Sequence, residues 1–237
     1  MEEDVLDMYL NSSDVPFANK EEEKPKETKE FKSKSSGGDL WNETSFVKKR
    51  PDPANFEKAG KTFTFVLGGT PDEESKKLIL GLIKNLAGRG FILRYQFNNT
   101  IDFYKTVTDI EGLSVEAYRP WKKMAPDLAS VAKTFADKQA YEAACYYAPK
   151  FSSFPPGVRC IRANAVYALL GKEIKNPSNF ILCWTECGSE AITKDTDFKK
   201  IGNAGVFFTM GKDLNIPIYN IKNKDSVQKL AEYLKNL

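Results

Sequence analysis

Histidine, paired cysteines and long apolar runs are all missing from this chain of 237 residues. Histidine is the side chain that most often transfers protons near neutral pH, so its absence excludes Ser-His and Cys-His nucleophile pairs. Four cysteines are present without the C-x-x-C spacing of a zinc site, and we expect buried thiols at Cys145, Cys160, Cys183 and Cys187. We therefore expect no metal ion and no other cofactor, and any catalysis would have to use carboxylates, lysine, tyrosine or cysteine.

No run in the sequence approaches the roughly 18 apolar residues that cross a membrane. The first residues, Met1-Glu2-Glu3-Asp4, are acidic, whereas signal and transit peptides begin with basic residues. The hydrophobic content of 41% is enough for a sizeable core. We expect a soluble cytoplasmic protein that has no membrane partner.

The net charge of +3 divides unevenly along the chain. Residues 1–57 hold 9 lysines and arginines against 14 acids, which gives −5, and residues 58–237 hold 26 against 18, which gives +8. A basic body favours an anionic partner, and an acidic tail favours a protein partner. Solvated surface charge is the alternative explanation for both balances.

Residues 1–17 combine five acids and no base with several large apolar side chains. This mixture is typical of a short segment that folds against the basic groove of a partner protein. The side chains expected to bind the partner are Val5, Leu6, Tyr9, Leu10 and Phe17. A frayed terminus without a role is the alternative.

Residues 20–38 are nearly all Lys, Glu, Ser, Pro and Gly, which predicts a linker, and we expect residues 1–38 to be disordered in the isolated protein. Residues 39–57 carry Trp41, Phe46 and Phe56 around the basic run Lys48-Lys49-Arg50, which predicts an arm lying across the body. We divide the chain into a tail, linker and arm over residues 1–57 and one folded domain over residues 58–237.

Strand and helix patterns alternate through this domain. Residues 62–67 have strand composition and stop at a glycine turn, residues 73–87 repeat apolar side chains at helical spacing, and a strand follows over residues 91–95. Strand, helix and strand in this order form a βαβ unit with a right-handed crossover.

Less regular patterns predict the rest of the domain. They are a short helix after residue 100, a strand over residues 114–118, helical structure through 128–144, a helix over 160–170, a strand over 179–184, a helix to about residue 214, a strand over 216–221 and a last helix. The nearly continuous apolar run 179–184 indicates a strand buried on both faces. The predicted fold is α/β, a doubly wound and mostly parallel sheet of five strands with helices on both faces.

Two glycine-containing loops each precede a helix. Gly68-Gly69-Thr70 follows the first strand, and Gly202-Asn203-Ala204-Gly205 opens a later helix. Ligands of doubly wound sheets bind beyond the carboxyl ends of the strands, where amides at the start of a helix receive phosphate groups. We expect these loops to bind an anion, which belongs either to a nucleotide or to a nucleic-acid backbone. Tight turns are the alternative use of the glycines.

Basic and aromatic residues occur together in three parts of the domain: Arg89 with Arg94 and Tyr95; Tyr118, Arg119, Trp121, Lys122 and Lys123; and Arg159 with Arg162. Bases of a single strand stack on aromatic rings while cations follow the phosphates. With Lys48, Lys49 and Arg50 of the arm, these residues predict a site for single-stranded nucleic acid. A packed Trp121 and an ordinary solvated surface are the alternatives.

Several stretches follow one another in a familiar order. They are Gly68-Gly69-Thr70 after the first strand, residues 90–94, residues 116–122, residues 164–171, residues 176–185, residues 202–205 and residues 215–220. In order and spacing they resemble phage-encoded DprA/Smf-like proteins of the DprA/LOG-like (SLOG) Rossmann superfamily over residues 62–221. The resemblance implies a Rossmann fold, binding of single-stranded DNA and recruitment of a second protein, because DprA-like proteins do both.

The chain departs from this family at the nucleotide-binding loop. Relatives carry a glycine-rich loop after the second strand, where this chain has residues 96–102 without a glycine, and the arginine often found after the first strand is Thr70 here. We therefore expect no enzyme but a phage accessory factor in the cytoplasm of an infected cell. It would bind single-stranded DNA and recruit an RNA polymerase, for transcription, or a recombinase through its tail.

Two other functions remain open at this point. One is the binding of a small nucleotide derivative, and the other is N-glycosidic hydrolysis of nucleotides with Asp102 or Glu186 as the carboxylate. The acidic, arginine-bearing motif of LOG-type hydrolases is not found in the sequence. Solvent exposure or helix capping is the alternative explanation of both carboxylates.

Overall fold

The computed structural model describes residues 46–57, 60–97, 101–124, 131–148 and 150–236. Its strands are β1 (Thr62–Leu67), β2 (Ile92–Gln96), β3 (Ser114–Arg119), β4 (Val131–Thr134), β5 (Phe180–Trp184) and β6 (Ile218–Asn220). All pairs are parallel, and the six strands form one sheet in the order β4-β3-β2-β1-β5-β6. The predicted α/β fold with a doubly wound parallel sheet is confirmed.

Helices cover both faces of the sheet. They are α1 (Glu73–Gly88), α2 (Ile101–Thr108), α3 (Lys138–Tyr147), α4 (Pro156–Leu170), α5 (Phe198–Ile201), α6 (Ala204–Asp213) and α7 (Lys224–Lys235). One core packs α3, α4 and α6 against the sheet, and a second core packs α1, α2 and α7 against its other face. The result is a three-layer, Rossmann-like arrangement.

β1 lies at the centre of this arrangement, and all six of its side chains are buried. Phe63, Phe65 and Leu67 face the core of α1, whereas Val66 faces the core of α4. Thr64, which is fully buried, donates its hydroxyl to the carbonyl oxygen of Ala168 in α4 at 2.7 Å. A polar residue is tolerated in this strand because the helix above it supplies an acceptor.

A sixth strand is present where the sequence predicted helix. Residues 131–134 form β4 at the edge of the sheet, pairing with β3, and α3 begins only at Lys138. Phe135 separates the two elements with a φ of 64°, which no right-handed helix accommodates. The predicted helix is therefore wrong over residues 131–137, because helical spacing over a few residues does not exclude a short edge strand.

Two loops touch each other where the order of the strands reverses, between β1 and β5. A Cβ atom on Gly68 would lie 2.3 Å from the carbonyl oxygen of Ile201, and one on Gly202 would lie 2.7 Å from the carbonyl oxygen of Gly68. Gly202 also has a positive φ of 46°. Glycine is therefore required at both positions, since two backbones meet there without room for a side chain.

The arm packs on the body at its first described residue. Phe46 is buried and stacks on Tyr141 of α3, with 4.8 Å between the ring centroids. The amide of Lys49 donates to the carbonyl oxygen of Glu142 at 3.2 Å, and Nε of Arg50 donates to Asp213 at the end of α6 at 2.8 Å. Residues 46–57 therefore lie across the layer of α3, α4 and α6. The predicted disorder of residues 1–38 and the arm residue Trp41 lie outside the described residues.

We expect Gly68→Ala to lower the free energy of unfolding by about 1–3 kcal/mol or more, the range for overpacking a tight site. Gly81→Ala is the matched control, because Gly81 lies inside α1 and a Cβ there would meet nothing within 4 Å. The control should raise stability by about 0.5–1 kcal/mol. Urea denaturation measures both, and equal effects would contradict the contact between the loops.

Candidate nucleic-acid interface

The first turns of α4 pack against the segment that follows β3. The thiol of Cys160 donates to the carbonyl oxygen of Pro120 at 3.1 Å. The side-chain amide of Gln96, the last residue of β2, donates to the carbonyl oxygen of Ile161. Both contacts place the start of α4 at the carboxyl ends of β2 and β3, the edge at which ligands of such sheets bind.

Six of the predicted nucleic-acid residues meet at this edge. We call them the carboxyl-edge cluster: Arg119, Trp121, Lys122, Lys123, Arg159 and Arg162. Lys122 and Lys123 are exposed, and Trp121 is partly exposed. Arg119 donates from Nε to the hydroxyl of Thr134 at 2.8 Å, which joins the ends of β3 and β4.

α4 begins at this edge without an acidic cap. Its N-cap residue is Pro155, no side chain caps the helix, and no acidic residue lies in the first turn. A Cβ atom on Gly157 would meet nothing within 4 Å, so the backbone there is open to a ligand. The amides and the positive end of the helix dipole therefore point to a place that favours an anion.

Two arginines add to this positive end. Arg159 and Arg162 lie in the first two turns of α4 and are only 3% and 6% exposed. The guanidinium carbon of Arg162 lies 4.5 Å from the centroid of the Phe154 ring, a cation-π contact that fixes its position. Cations near the start of a helix raise the local positive potential instead of offsetting it. Both guanidinium groups offer little surface for direct contact with a ligand, because they are buried.

The start of α1 has the opposite character. The carboxylate of Asp72 accepts the amide of Ser75 at 2.7 Å, and Glu73 and Glu74 occupy the first turn. The hydrogen bond from the Ser75 amide lowers the pKa of Asp72, so this carboxylate stays ionised. An anion at the loop Gly68-Gly69-Thr70 stays a prediction, and at the start of the following helix it would lie beside Asp72, Glu73 and Glu74, of which Asp72 already accepts the Ser75 amide.

The second glycine loop is explained by packing. Gly202 contacts Gly68, and the amide of Gly205 is directed to the carbonyl oxygen of Gly202 at 3.4 Å inside the first turn of α6. Asn203 is the N-cap residue and makes no side-chain capping bond. The contact between the two loops accounts for Gly68 and Gly202, and an anion at Gly202-Asn203-Ala204-Gly205 stays a prediction.

Four predicted cations lie at the opposite, amino-terminal edge of the sheet. Arg50 contacts Asp213 at the end of α6, and Lys48 and Lys49 are exposed beside it. Arg89 follows α1 and donates to the carbonyl oxygen of Leu234 in α7 at 3.1 Å. These residues are therefore separated from the carboxyl-edge cluster by the length of the strands.

Arg94 and Tyr95 lie inside the protein, which corrects their assignment to a nucleic-acid surface. Arg94 donates from Nε to Glu116 at 2.6 Å and from Nη1 to the carbonyl oxygen of Asn176. Tyr95 is fully buried and stacks on Tyr104, with 4.5 Å between ring centroids, and burial raises the pKa of its hydroxyl. Neither side chain reaches a ligand, because each points from β2 into a helix layer.

Tyr118, which the sequence placed among the exposed aromatic residues, is also fully buried. It stacks on Tyr167 of α4 with 5.7 Å between ring centroids. Trp121 is therefore the aromatic residue of this run that retains accessible surface.

A polar network closes the neighbouring loops over β5 and β6. The side-chain amide of Asn220 donates to the hydroxyl of Thr185 and to the carbonyl oxygen of Ser189, each at 2.7 Å. Nζ of Lys222 donates to the carbonyl oxygen of Glu186 at 2.5 Å and lies 5.4 Å from the Trp184 ring centroid. The carboxylate proposed at Glu186 thus lies on an exposed loop, and the side chain of Asp102 lies outside the described part of the chain.

The cysteines follow the sequence analysis with one correction. Cys145, Cys160 and Cys183 are buried free thiols as predicted, whereas Cys187 is exposed on the loop after β5. Among the described residues, no group of histidine, cysteine or acidic side chains is placed to hold a metal ion. In the same residues no helix is long and apolar enough to cross a membrane.

The start of α4 was missed in the sequence, where the helix was expected from Cys160. The helix begins at Pro156, and Pro155-Pro156-Gly157 is the signal that marks it, because proline is favoured in the first turn.

Comparisons of the chain with protein-family models, with curated proteins and with solved structures find no match.

We expect Arg94→Met to lower the free energy of unfolding by about 3 kcal/mol, near the lower end for breaking a buried ion pair, because Glu116 is partly exposed. Arg89→Met is the control and should cost about 1 kcal/mol, the value of one hydrogen bond. Denaturant titration measures both. A similar loss in the two variants would contradict the structural role of Arg94.

Proposed function

We propose that this protein binds single-stranded DNA at the carboxyl-edge cluster. The observation that supports the proposal is the contact between Cys160 and Pro120, which brings the partly exposed Trp121 and the exposed Lys122 and Lys123 beside the start of α4. That helix start contributes open backbone, a positive dipole end and two arginines.

Phosphate groups are the natural ligands of such an edge. Lys122 and Lys123 neutralise backbone phosphates in solution, while the start of α4 accepts one further anion. The +8 charge of residues 58–237 favours the approach of a polyanion from a distance. This part of the affinity is independent of base sequence and sensitive to salt.

Trp121 supports a preference for single strands. Its ring is partly exposed next to the two lysines, so a base stacked on it would leave the adjacent phosphates near cations. A duplex keeps its bases in the stack and denies them to the ring. The proposed site therefore recognises a single strand by combining one stacking surface with several charges.

The remaining parts of the proposal follow the resemblance to DprA/Smf-like proteins of phages. In this proposal the protein has no catalytic activity, acts in the cytoplasm of an infected cell, and recruits an RNA polymerase or a recombinase through residues 1–17. The acidic and apolar composition of residues 1–17 supports a protein partner.

A small nucleotide derivative is the second candidate ligand. The start of α4, with one open helix end and two buried arginines, is compact enough for a single phosphate group. The two candidates differ in their dependence on length. Affinity for a DNA strand rises as the strand is lengthened across Lys122 and Lys123, whereas a mononucleotide would already bind with full affinity.

We expect the double substitution Lys122→Ala with Lys123→Ala to weaken binding of a labelled single strand and to reduce the salt slope by about 0.7 for each phosphate that is no longer neutralised. The control is Lys48→Ala with Lys49→Ala, which removes the same charge at the other edge of the sheet. Fluorescence anisotropy at two salt concentrations measures both variants. Equal weakening by the two pairs would show non-specific attraction and would overturn the proposed site.

We expect Trp121→Ala to cost roughly 1–3 kcal/mol of binding free energy with an unchanged salt slope, because stacking involves no counterion release. Trp121→Phe keeps an aromatic ring and should restore most of the affinity. A thermal melt of each variant separates stacking from packing. Reduced stability of Trp121→Ala with unchanged affinity would remove Trp121 from the site.

A further inference from the structure

A groove runs between α1 and α7 on the face of the sheet opposite the arm. Both helices start at the carboxyl edge and end at the amino edge, and the space between them measures about 490 Å³. Its lining is apolar and includes Leu78, Leu82, Val227, Leu230, Ala231 and Leu234. Leu78 is 46% exposed, one of three large apolar side chains that the described residues leave open to water. Apolar surface of this kind favours a partner that covers it.

The rim of the groove carries positive charge. Lys77, Arg89 and Lys235 line it, and none of the described lining residues is acidic. Arg89 bridges the two helices at one end through its bond to the carbonyl oxygen of Leu234. An occupant should therefore combine apolar side chains with carboxylates, because those groups match the floor and the rim respectively.

Two other occupants fit less well. A second copy of the same groove would place basic rims opposite each other, which is unfavourable. A nucleic acid would match the rim and leave the leucine side chains uncovered. The favoured occupant is an acidic and apolar peptide segment.

Residues 1–17 of this chain have that chemistry. They hold five acids and no base, and Val5, Leu6, Met8, Tyr9 and Leu10 follow one another closely. From Lys77 to Arg89, the groove extends over about 18 Å of helix at a rise of 1.5 Å per residue. A segment of this size is long enough to fill it.

The length of the intervening chain allows the contact. Residues 18–45 separate the acidic segment from Phe46, which is fixed in the core of the opposite layer. These 28 residues span at most about 95 Å when fully extended. A domain of this size has a radius of gyration of about 16 Å and half a circumference of roughly 65 Å, so the extended chain is long enough to reach around it. Binding within one molecule would also benefit from a high effective concentration.

We propose that residues 1–17 dock in the groove between α1 and α7 of their own chain. The inference is independent of DNA binding at the carboxyl edge. If residues 1–17 also recruit a partner protein, the groove competes with that partner for the same segment. The segment stays docked until a partner with a higher affinity displaces the groove.

Nuclear magnetic resonance of the full chain tests the inference through the amide shifts of residues 1–17. Leu78→Glu places a carboxylate on the groove floor and should reduce the docked population about tenfold or more, because a charge on apolar surface is costly. The matched control is Lys84→Ala, which changes the net charge equally on an exposed residue of α1 that does not line the groove. Leu6→Glu should change the same amide shifts of residues 1–17 as Leu78→Glu. The double variant should change these shifts little more than either single variant does.

Unchanged tail shifts in Leu78→Glu, or equal changes in Lys84→Ala, would overturn the proposal. Tail shifts that vary with protein concentration would indicate docking in a second copy and would also overturn it. Thermal melts confirm that each variant folds, which is expected because Leu78 is exposed. Leu78→Glu should leave the affinity for single-stranded DNA unchanged, so failure of docking and failure of the DNA site are distinguishable.

Discussion

The structure depends on a central strand that has no access to water. β1 pairs with β2 on one side and β5 on the other, and helices cover both of its faces. Such a strand is largely apolar, and the buried hydroxyl of Thr64 donates to the carbonyl oxygen of Ala168. It must also leave the sheet through a packed region, which is why Gly68 meets the backbone of Ile201. The two helix layers and the neighbouring strands β2 and β5 provide this burial.

Much of the fold could be predicted from the sequence, because a strand buried on two faces is a continuous apolar run. β1 and β5 are such runs, and α1 shows clear helical spacing. β4 was missed because a short edge strand needs few apolar residues. Whether a basic side chain is buried or exposed was harder to predict from the sequence. Arg94 looks like any surface arginine in the sequence, and only the loop that follows α4 shows that its side chain is enclosed.

One half of the candidate site, the run from Arg119 to Lys123, could be located from the sequence, whereas its contact with α4 could not. The run from Arg119 to Lys123 follows a strand, and parallel strands bring their carboxyl ends to one edge, so its location follows from topology. The strand topology does not show which helix packs against that run. α4 is reached only after β4 and α3, and its contact with Pro120 depends on how it crosses the sheet. The same crossing buries Arg159 and Arg162, which the sequence presented as surface charges.

Phe46 determines from where the first part of the chain departs. Its ring is held between Tyr141 and Phe151, with 5.8 Å to the latter ring centroid, so everything before it is tethered to the layer of α3, α4 and α6. A protease that cuts ahead of Phe46 would release the acidic segment and leave the hydrophobic core closed. A cut just after Phe46 would instead free its ring from Tyr141 and Phe151 and expose apolar surface that favours aggregation. The anchor thus separates cuts that leave the hydrophobic core intact from cuts that damage the folded body, within a single residue.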